Sequence, residues 1–275
     1  MNMEYTNDFY IQENLKHWND RVKYHEKSEF YDIKRFKKGK TSLQSIELEG
    51  LGNEVDGKSI LHLQCHFGQD TLSWARMGAE VTGADFSLKA IDLACKLNDD
   101  LGLDAKFVCC NIYDLKEHLE GQFDIVFTSY GTIGWLPDLE AWADIVRHFL
   151  KPGGTFYMAE FHPTYYMVDF DSLKLTYPYF NRGVFSEPVE NTYADLNAKL
   201  DGTEYFWQHP MSDIIGSLIG QELDLQEFKE FDFAPYNCFP NMVEVGERQY
   251  QIKGFEGKLP LVFSLKMKKK RKGTS

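Results

Sequence analysis

The 275-residue sequence has few cysteines, no long apolar run and no excess of basic residues. Its five cysteines include no Cys-x-x-Cys pair, so neither a disulfide framework nor a zinc ribbon is predicted, and a reducing compartment is expected. No segment approaches 18 uncharged apolar residues, and the first ten residues have no apolar signal core. We therefore expect a cytoplasmic protein that has no membrane partner.

Basic residues are outnumbered, 30 against 42 acidic ones, which gives a net charge of −12. Six of the bases lie in the last ten residues: Lys266, Lys268, Lys269, Lys270, Arg271 and Lys272. Without them the remaining 24 bases and 42 acids leave −18. Such a surface repels a phosphate backbone, so a nucleic-acid partner is not expected. The basic end is interpreted as a frayed, solvated tail, with an electrostatic tether as the alternative.

From residue 58 onward, short apolar runs alternate with helical periods. Strands are predicted at 59–63, 80–84, 106–110, 123–129, 155–161, 223–231 and 259–266, and helices at 69–77, 88–101, 139–150 and 211–220. This alternation predicts the α/β class, with a doubly wound, mostly parallel seven-stranded sheet. Ligands of such sheets bind beyond the C-terminal ends of the strands.

Two regions depart from this alternation. Residues 1–56 are polar and aromatic and predict an N-terminal helical cap. Residues 161–210 hold 12 aromatics in 50 positions among turn signals, which predicts an antiparallel β insertion. We interpret residues 1–275 as one domain: the cap, a core at 57–160, the insertion as a lid, a completion of the sheet at 211–268 and a basic tail at 269–275.

The loop after the first strand has no phosphate-binding pattern. Neither G-x-G-x-x-G nor G-x-x-x-x-G-K-[ST] is present, which argues against a dinucleotide or a nucleoside triphosphate. Asp85 nevertheless lies at the end of the second strand, 17 residues after Gly68. An acid at this point can accept hydrogen bonds from ribose hydroxyls, so a nucleoside ligand without a phosphate is predicted. The alternative is that Asp85 serves only the start of the next helix, which Ser87 caps.

Five segments then follow in a characteristic order: Ile60–Leu63 with Cys65 and Gly68, Val81–Ser87, Phe107–Asp114, Phe123–Phe127 with Ser129–Gly131, and Leu150–Gly154. In this order they resemble the motifs of the class I S-adenosylmethionine-dependent methyltransferases, which have a Rossmann-like fold. The runs His62–Gly68 and Glu160–Pro163 are similar to those of an uncharacterised bacterial subgroup.

The resemblance implies S-adenosylmethionine as cofactor and transfer of its methyl group to a small-molecule acceptor. The positions that it assigns to cofactor binding are Gln64, Cys65, His66, Gly68, Asp85, Phe86, Asn111, Ile112, Ser129 and Tyr130. Two other functions stay open on the same fold. One is a non-catalytic sensor or partner-recruiting protein that binds an adenosyl ligand, and the other is an enzyme of different S-adenosylmethionine chemistry. The oligomeric state is not predicted.

Four positions depart from the family. His62 stands where the family usually has an acid, so the cofactor's ammonium loses a usual partner. Gln64 and His66 stand where it has glycine, and their side chains narrow the space through which the methionine part of the cofactor approaches the backbone. Asn111 replaces an aspartate at the adenine edge, where its oxygen can still accept from the exocyclic amine. His62, Cys65 and His66 together suggest a metal site, but alternation at a strand tip prevents convergence and no metal is expected.

Methyl transfer mainly requires donor and acceptor to be held in line while water is excluded. Where the acceptor loses a proton, His162 and His209 are the candidate bases, each with a purely structural role as the alternative. Tyr130, Trp207 and Tyr24 are predicted to shape the acceptor pocket. The aromatics of the insertion, with Trp18 and Tyr24, are predicted to cover the open end of the sheet. They form either a satellite core or an apolar lid, and the two are compatible.

Overall fold

The computed structural model describes residues 3–169, 172, 174–237 and 240–271 of the 275. One of the five cysteines, Cys238, and one of the terminal bases, Lys272, lie outside the described residues. Within the described chain the helices are α1 Met3–His25, α2 Ile33–Lys37, α3 Ser45–Leu51, α4 Gln69–Arg76, α5 Leu88–Leu101, α6 Leu115–His118, α7 Leu139–Phe149, α8 Pro163–Tyr166 and α9 Met211–Gly220.

The strands of the same residues are β1 Ser59–Leu63, β2 Glu80–Asp85, β3 Lys106–Cys109, β4 Phe123–Thr128, β5 Leu150–Phe161, β6 Val168–Asp169, β7 Lys174–Leu175, β8 Val184–Pro188, β9 Thr203–Trp207, β10 Leu223–Phe231, β11 Met242–Gly246, β12 Gln249–Ile252 and β13 Val262–Lys269. Three short 3-10 turns, at 52–54, 112–114 and 133–135, complete the regular structure of the described residues.

Seven of the described strands form one sheet in the order β10-β13-β5-β4-β1-β2-β3. β1 to β5 are parallel to one another, whereas β13 is antiparallel to both of its neighbours. The sheet needs near-continuous apolar strands because helices cover both of its faces, and Ile60, Leu61 and Leu63 of β1 are fully buried. The predicted α/β fold with a mostly parallel seven-stranded sheet is confirmed.

The last strand corrects the prediction for the basic end of the chain. β13 runs to Lys269, so the interpretation of this segment as a frayed tail is wrong for Lys266, Lys268 and Lys269. Alternate residues of β13 anchor it, since Leu265 and Met267 are fully buried. The Nζ atom of Lys269 donates to the carbonyl of Leu150 at 2.7 Å, close to the C-terminal end of α7, where a cation is favoured.

Two regions cover the sheet end at which β1, β2 and β4 finish. The cap contributes α1, and the insertion contributes the antiparallel hairpin β8–β9. They are hydrogen-bonded to each other, because the Asn14 side chain donates to the Tyr205 carbonyl at 2.7 Å and accepts from the Tyr205 amide at 2.9 Å. Arg21 and Glu204 form an ion pair two turns further along α1. No helix of the described residues is long and apolar enough to cross a bilayer.

The packing of α7 on the sheet gives a stability prediction. Trp142 is fully buried, and its ring lies 5.6 Å from that of Phe156 on β5. Trp142→Ala should lower the free energy of unfolding by about 3 kcal/mol or more, because truncation leaves a cavity in the core. Denaturant titration measures the change. Leu88→Ala, at a side chain 58% exposed, is the control and should stay within about 0.5 kcal/mol; similar small losses in both variants would contradict the described packing.

Candidate functional site

A large cavity lies at the sheet end beneath α1 and the β8–β9 hairpin. Its volume is about 1730 Å³, well above the roughly 300–1,000 Å³ of a typical small-ligand pocket. On the sheet side its wall includes Gln64, His66, Asp85 and Ser129, and on the roof it includes Trp18 and Trp207. The cavity therefore has room for two small molecules side by side.

The loop between β1 and α4 has an unusual backbone. Gln64, His66 and Gly68 have φ values of 55°, 50° and 75°, in the left-handed region that favours glycine. A Cβ atom at Gly68 would lie 2.7 Å from the Phe107 ring, so this position cannot take a side chain without movement. The other two positions adopt the same conformation with full side chains, at a cost of roughly 1–2 kcal/mol each. The loop therefore has a left-handed backbone at two positions that are not glycine.

Asp85 braces that loop from the neighbouring strand. Its carboxylate accepts from the His66 amide at 2.8 Å through one oxygen and from the Ser87 amide at 2.9 Å through the other. Ser87 caps α5 by accepting from the Ala90 amide at 3.2 Å, so Asp85 does not serve as the helix cap. Burial raises the pKa of Asp85 to about 6, while its backbone hydrogen bonds oppose that shift. Each oxygen keeps a lone pair for a ligand hydroxyl.

Next to Asp85 the cavity wall includes half-buried Phe86 and buried Ile112, and we refer to this part of the wall as the slot. Asn111, which directly precedes Ile112, also lines the cavity. The Asn111 side-chain oxygen accepts from the Tyr113 amide at 3.2 Å, which leaves one lone pair and the amide donors for a ring edge. Cys65 is buried, and burial raises the pKa of its thiol well above the usual range, so it stays protonated.

The His62 side chain is buried beneath the loop. Its Nδ1 lies 2.8 Å from Thr71 Oγ1 and its Nε2 lies 3.4 Å from Ser129 Oγ. Burial lowers the pKa of His62 to about 3, so the ring is neutral. The His66 ring has a different partner, His25, and within the described residues no cluster of three or more His, Cys, Asp or Glu side chains has metal-binding geometry.

His66 connects the loop to both covering regions. Its Nε2 lies 2.9 Å from Nδ1 of His25 on α1, and Nε2 of His25 lies 2.6 Å from Thr192 Oγ1 in the insertion. Burial lowers the pKa of His25 to about 3 and that of His66 well below its usual value, so both rings are neutral and share one proton across their contact. Nδ1 of His66 is buried without a partner in the described chain.

Glu160 at the end of β5 holds the loop after β4. One carboxylate oxygen accepts from the amides of Gly131 and Phe161, at 2.5 and 2.7 Å, and the other accepts from the Thr132 amide at 2.7 Å. Burial raises the pKa of Glu160, and these hydrogen bonds oppose the shift. The arrangement fixes the segment that carries Ser129 and Tyr130 against the cavity.

The structure separates both candidate bases from the cavity. His162 caps α8, with Nδ1 2.8 Å from Thr164 Oγ1 and Nε2 3.1 Å from a Glu230 oxygen. His209 is buried, and its Nε2 lies 2.8 Å from the Leu136 carbonyl. Neither of these two described side chains lines the cavity. The geometry contradicts their prediction as catalytic bases, because their ring nitrogens are engaged elsewhere.

Of the three predicted shaping residues, Tyr130 and Trp207 line the cavity and Tyr24 does not. The Tyr24 hydroxyl donates to the Lys199 carbonyl at 3.0 Å on the outer side of α1, so its prediction is wrong. Trp18, six residues earlier on the same helix, lines the cavity instead, and its ring lies 5.5 Å from that of Trp135.

Behind the cavity wall, the Tyr130 hydroxyl donates to Glu47 at 2.8 Å. Glu47 is fully buried, and its second oxygen has no partner among the described residues. Burial raises the pKa of Glu47 to about 8; the charge of Asp70 adds to the shift, and the Tyr130 hydrogen bond opposes it. Glu47 is therefore mostly protonated at neutral pH.

Comparison with known proteins supports this geometry. Residues 60–154 match a family model described as a methyltransferase domain. An S-adenosylmethionine-dependent methyltransferase from Clostridium acetobutylicum superposes with a TM-score of 0.56 at 15% identity, over 82% of this chain and 89% of that one. The chain has the Rossmann-like methyltransferase fold.

Two curated relatives each match less than half of the chain. A ubiquinone biosynthesis O-methyltransferase of Chromobacterium violaceum is 31% identical over 100 residues, 36% of this chain and 43% of the relative. An uncharacterized methyltransferase of Synechocystis sp. is 35% identical over 125 residues, 45% of this chain and 56% of the relative. The chain thus spans about half the length of these relatives.

Because the backbone at Gln64 is left-handed, we expect glycine to be more stable than alanine at this position, the reverse of their order within a helix. Both Gln64→Ala and Gln64→Gly lose the hydrogen bond from Nε2 to the Thr132 carbonyl, 3.0 Å long. Only glycine relieves the backbone, so the glycine variant should be more stable by about 1 kcal/mol in denaturant titration. At exposed Lys96 on α5, glycine should instead be the less stable by about 1 kcal/mol. The same order at both positions would contradict the loop conformation.

The buried Glu47 predicts a pH-dependent stability. The folded protein keeps a proton on Glu47 up to pH about 8, whereas the unfolded chain releases it near 4.5. The contribution of Glu47 to the free energy of unfolding should therefore fall as pH rises through this window. Glu47→Gln should gain stability relative to the wild type from pH 5 to 8 in thermal unfolding. Glu49→Gln, at an exposed position of the same helix, should show no such trend, and matching trends would refute the assignment.

Proposed function

We propose that this protein is an S-adenosylmethionine-dependent methyltransferase whose acceptor is a small molecule. The observation that carries the proposal is one continuous cavity of about 1730 Å³ that joins the slot at Asp85, Phe86 and Ile112 to a volume roofed by aromatic side chains. The match of residues 60–154 to a methyltransferase domain supports it. Outside that match, α1 and the β8–β9 hairpin cover the cavity, and we assign the 161–210 insertion the role of lid.

The cofactor site follows from the groups on the wall. Asp85 accepts from the two ribose hydroxyls, Phe86 and Ile112 enclose the adenine, and Asn111 meets its amine edge. Buried Gln64 Oε1, which has no partner in the described chain, offers an acceptor near the amino-acid end. S-adenosylmethionine, when bound, supplies a methyl group on a positively charged sulfur. These residues fix its position and keep water from it.

The acceptor is expected to be neutral or cationic. Among the described residues that line the cavity, nine are acidic and four are basic. The aromatic faces of Trp18, Trp135 and Trp207 also suit a planar or cationic molecule. Because the relative from Chromobacterium violaceum is an O-methyltransferase, small hydroxyl-bearing compounds come first in an acceptor panel, followed by amines.

Calorimetric titration with S-adenosylhomocysteine is the direct test. The wild type should bind it, and Asp85→Asn should weaken binding about 10- to 100-fold, as expected when a hydrogen bond to a charged group is lost. Asp92→Asn removes the same charge from an exposed position on α5 and should bind as the wild type does.

Mass spectrometry of reactions with the acceptor panel then identifies the chemistry. A product heavier by CH₂ supports methyl transfer. Binding without turnover over the panel would favour the non-catalytic sensor, and an adduct other than CH₂ would indicate different chemistry. A folded wild type that does not bind S-adenosylhomocysteine would overturn the proposal.

A further inference from the structure

The amino-acid end of the proposed cofactor carries an ammonium group that needs an anionic partner when it is buried. His62, at the position where the resembling family has an acid, cannot supply one. Its ring is neutral, and both of its nitrogens are engaged, by Thr71 and Ser129. Gln64 Oε1 can accept a hydrogen bond but carries no charge, so an anionic partner for the ammonium must be another carboxylate of the cavity wall.

Asp70, in the first turn of α4, has the required properties. It lines the cavity, is half-buried, and its carboxylate lies beside the side chains of Ser42 and Ser129. An acid near a helix N-terminus is favourable in itself. That preference alone does not explain why the carboxylate lies beside two serines from other segments, at the cavity wall.

The Asp70 carboxylate has no cationic partner in contact with it. None of the ion pairs found among the described residues includes Asp70, and Arg248 acts on it only through longer-range attraction. Burial raises the pKa of Asp70, which is the expected effect on a carboxylate that lacks a neighbouring cation. A positively charged ligand group would remove this penalty.

Ser129 relates Asp70 to position 62. Its hydroxyl lies beside the Asp70 carboxylate and is 3.4 Å from His62 Nε2. The carboxylate and the imidazole are thus both neighbours of one serine hydroxyl. Asp85, the other acid at this end of the sheet, already accepts two backbone amides and faces the nucleoside slot.

We propose that Asp70 holds the ammonium group of the cofactor's amino-acid end, in place of an acid at position 62. This inference rests on the proposed function. In this chain the negative charge beside the ammonium would come from the first turn of α4, because His62 on β1 is neutral.

The test compares two ligands that differ at the amino-acid end. S-adenosylhomocysteine carries the ammonium, whereas 5′-methylthioadenosine keeps the nucleoside and sulfur without it. Asp70→Asn should weaken S-adenosylhomocysteine binding about 10- to 100-fold and leave methylthioadenosine binding within about twofold. Asp92→Asn should change neither affinity. Retained methylthioadenosine binding also shows that the variant is folded.

A double variant tests the exchange itself. His62→Asp/Asp70→Asn restores one carboxylate beside Ser129 and should recover most of the affinity for S-adenosylhomocysteine that Asp70→Asn loses. Equal losses for both ligands, no loss for either, or no recovery in the double variant would each overturn the inference. A wild type that binds neither ligand would instead overturn the proposed function, so the two failures are distinguishable.

Discussion

The hydrogen bond from the His66 amide to Asp85 joins the ends of two neighbouring strands, and the rest of the site depends on it. It holds the loop after β1 in its left-handed conformation and at the same time fixes the carboxylate that faces the nucleoside slot. Without it, Gln64 and His66 would have little reason to keep positive φ values that cost roughly 1–2 kcal/mol each. The strain of the loop and the position of Asp85 are therefore one feature.

The same residue explains how the cavity is covered. Because the His66 backbone is fixed by Asp85, its ring is directed to His25 on α1 and, through that ring, to Thr192. A glycine at this position would leave the cap and the insertion without this contact to the sheet. We infer that the His66 side chain raises the strain of the backbone but provides a polar connection among three segments that lie far apart in sequence.

Much of the fold follows from local sequence, and much of the site does not. The apolar run of β1, the Ser87 cap and the glycine that follows α5 are encoded within a few residues. The positions of the strands, the mostly parallel sheet and the place of Asp85 could therefore be predicted. Contacts over long separations could not. His25 with His66, and Glu160 with the loop at 131–133, have no local signal that pairs them.

The errors have the same origin. His162 follows a strand end that borders the cavity, but its ring nitrogens contact Thr164 and Glu230. Glu230 lies on β10, 68 residues further along the chain. Tyr24 and Trp18 share one helix, and only the roll of that helix against β9 decides which of them meets the cavity.

The net negative charge of the chain is also found at the cavity, where acidic residues outnumber basic ones and the buried histidines are neutral. His62 and His66 on the cavity wall, and His25 in contact with His66, carry no positive charge, so the acids can be neutralised by a ligand that brings a sulfonium and an ammonium of its own.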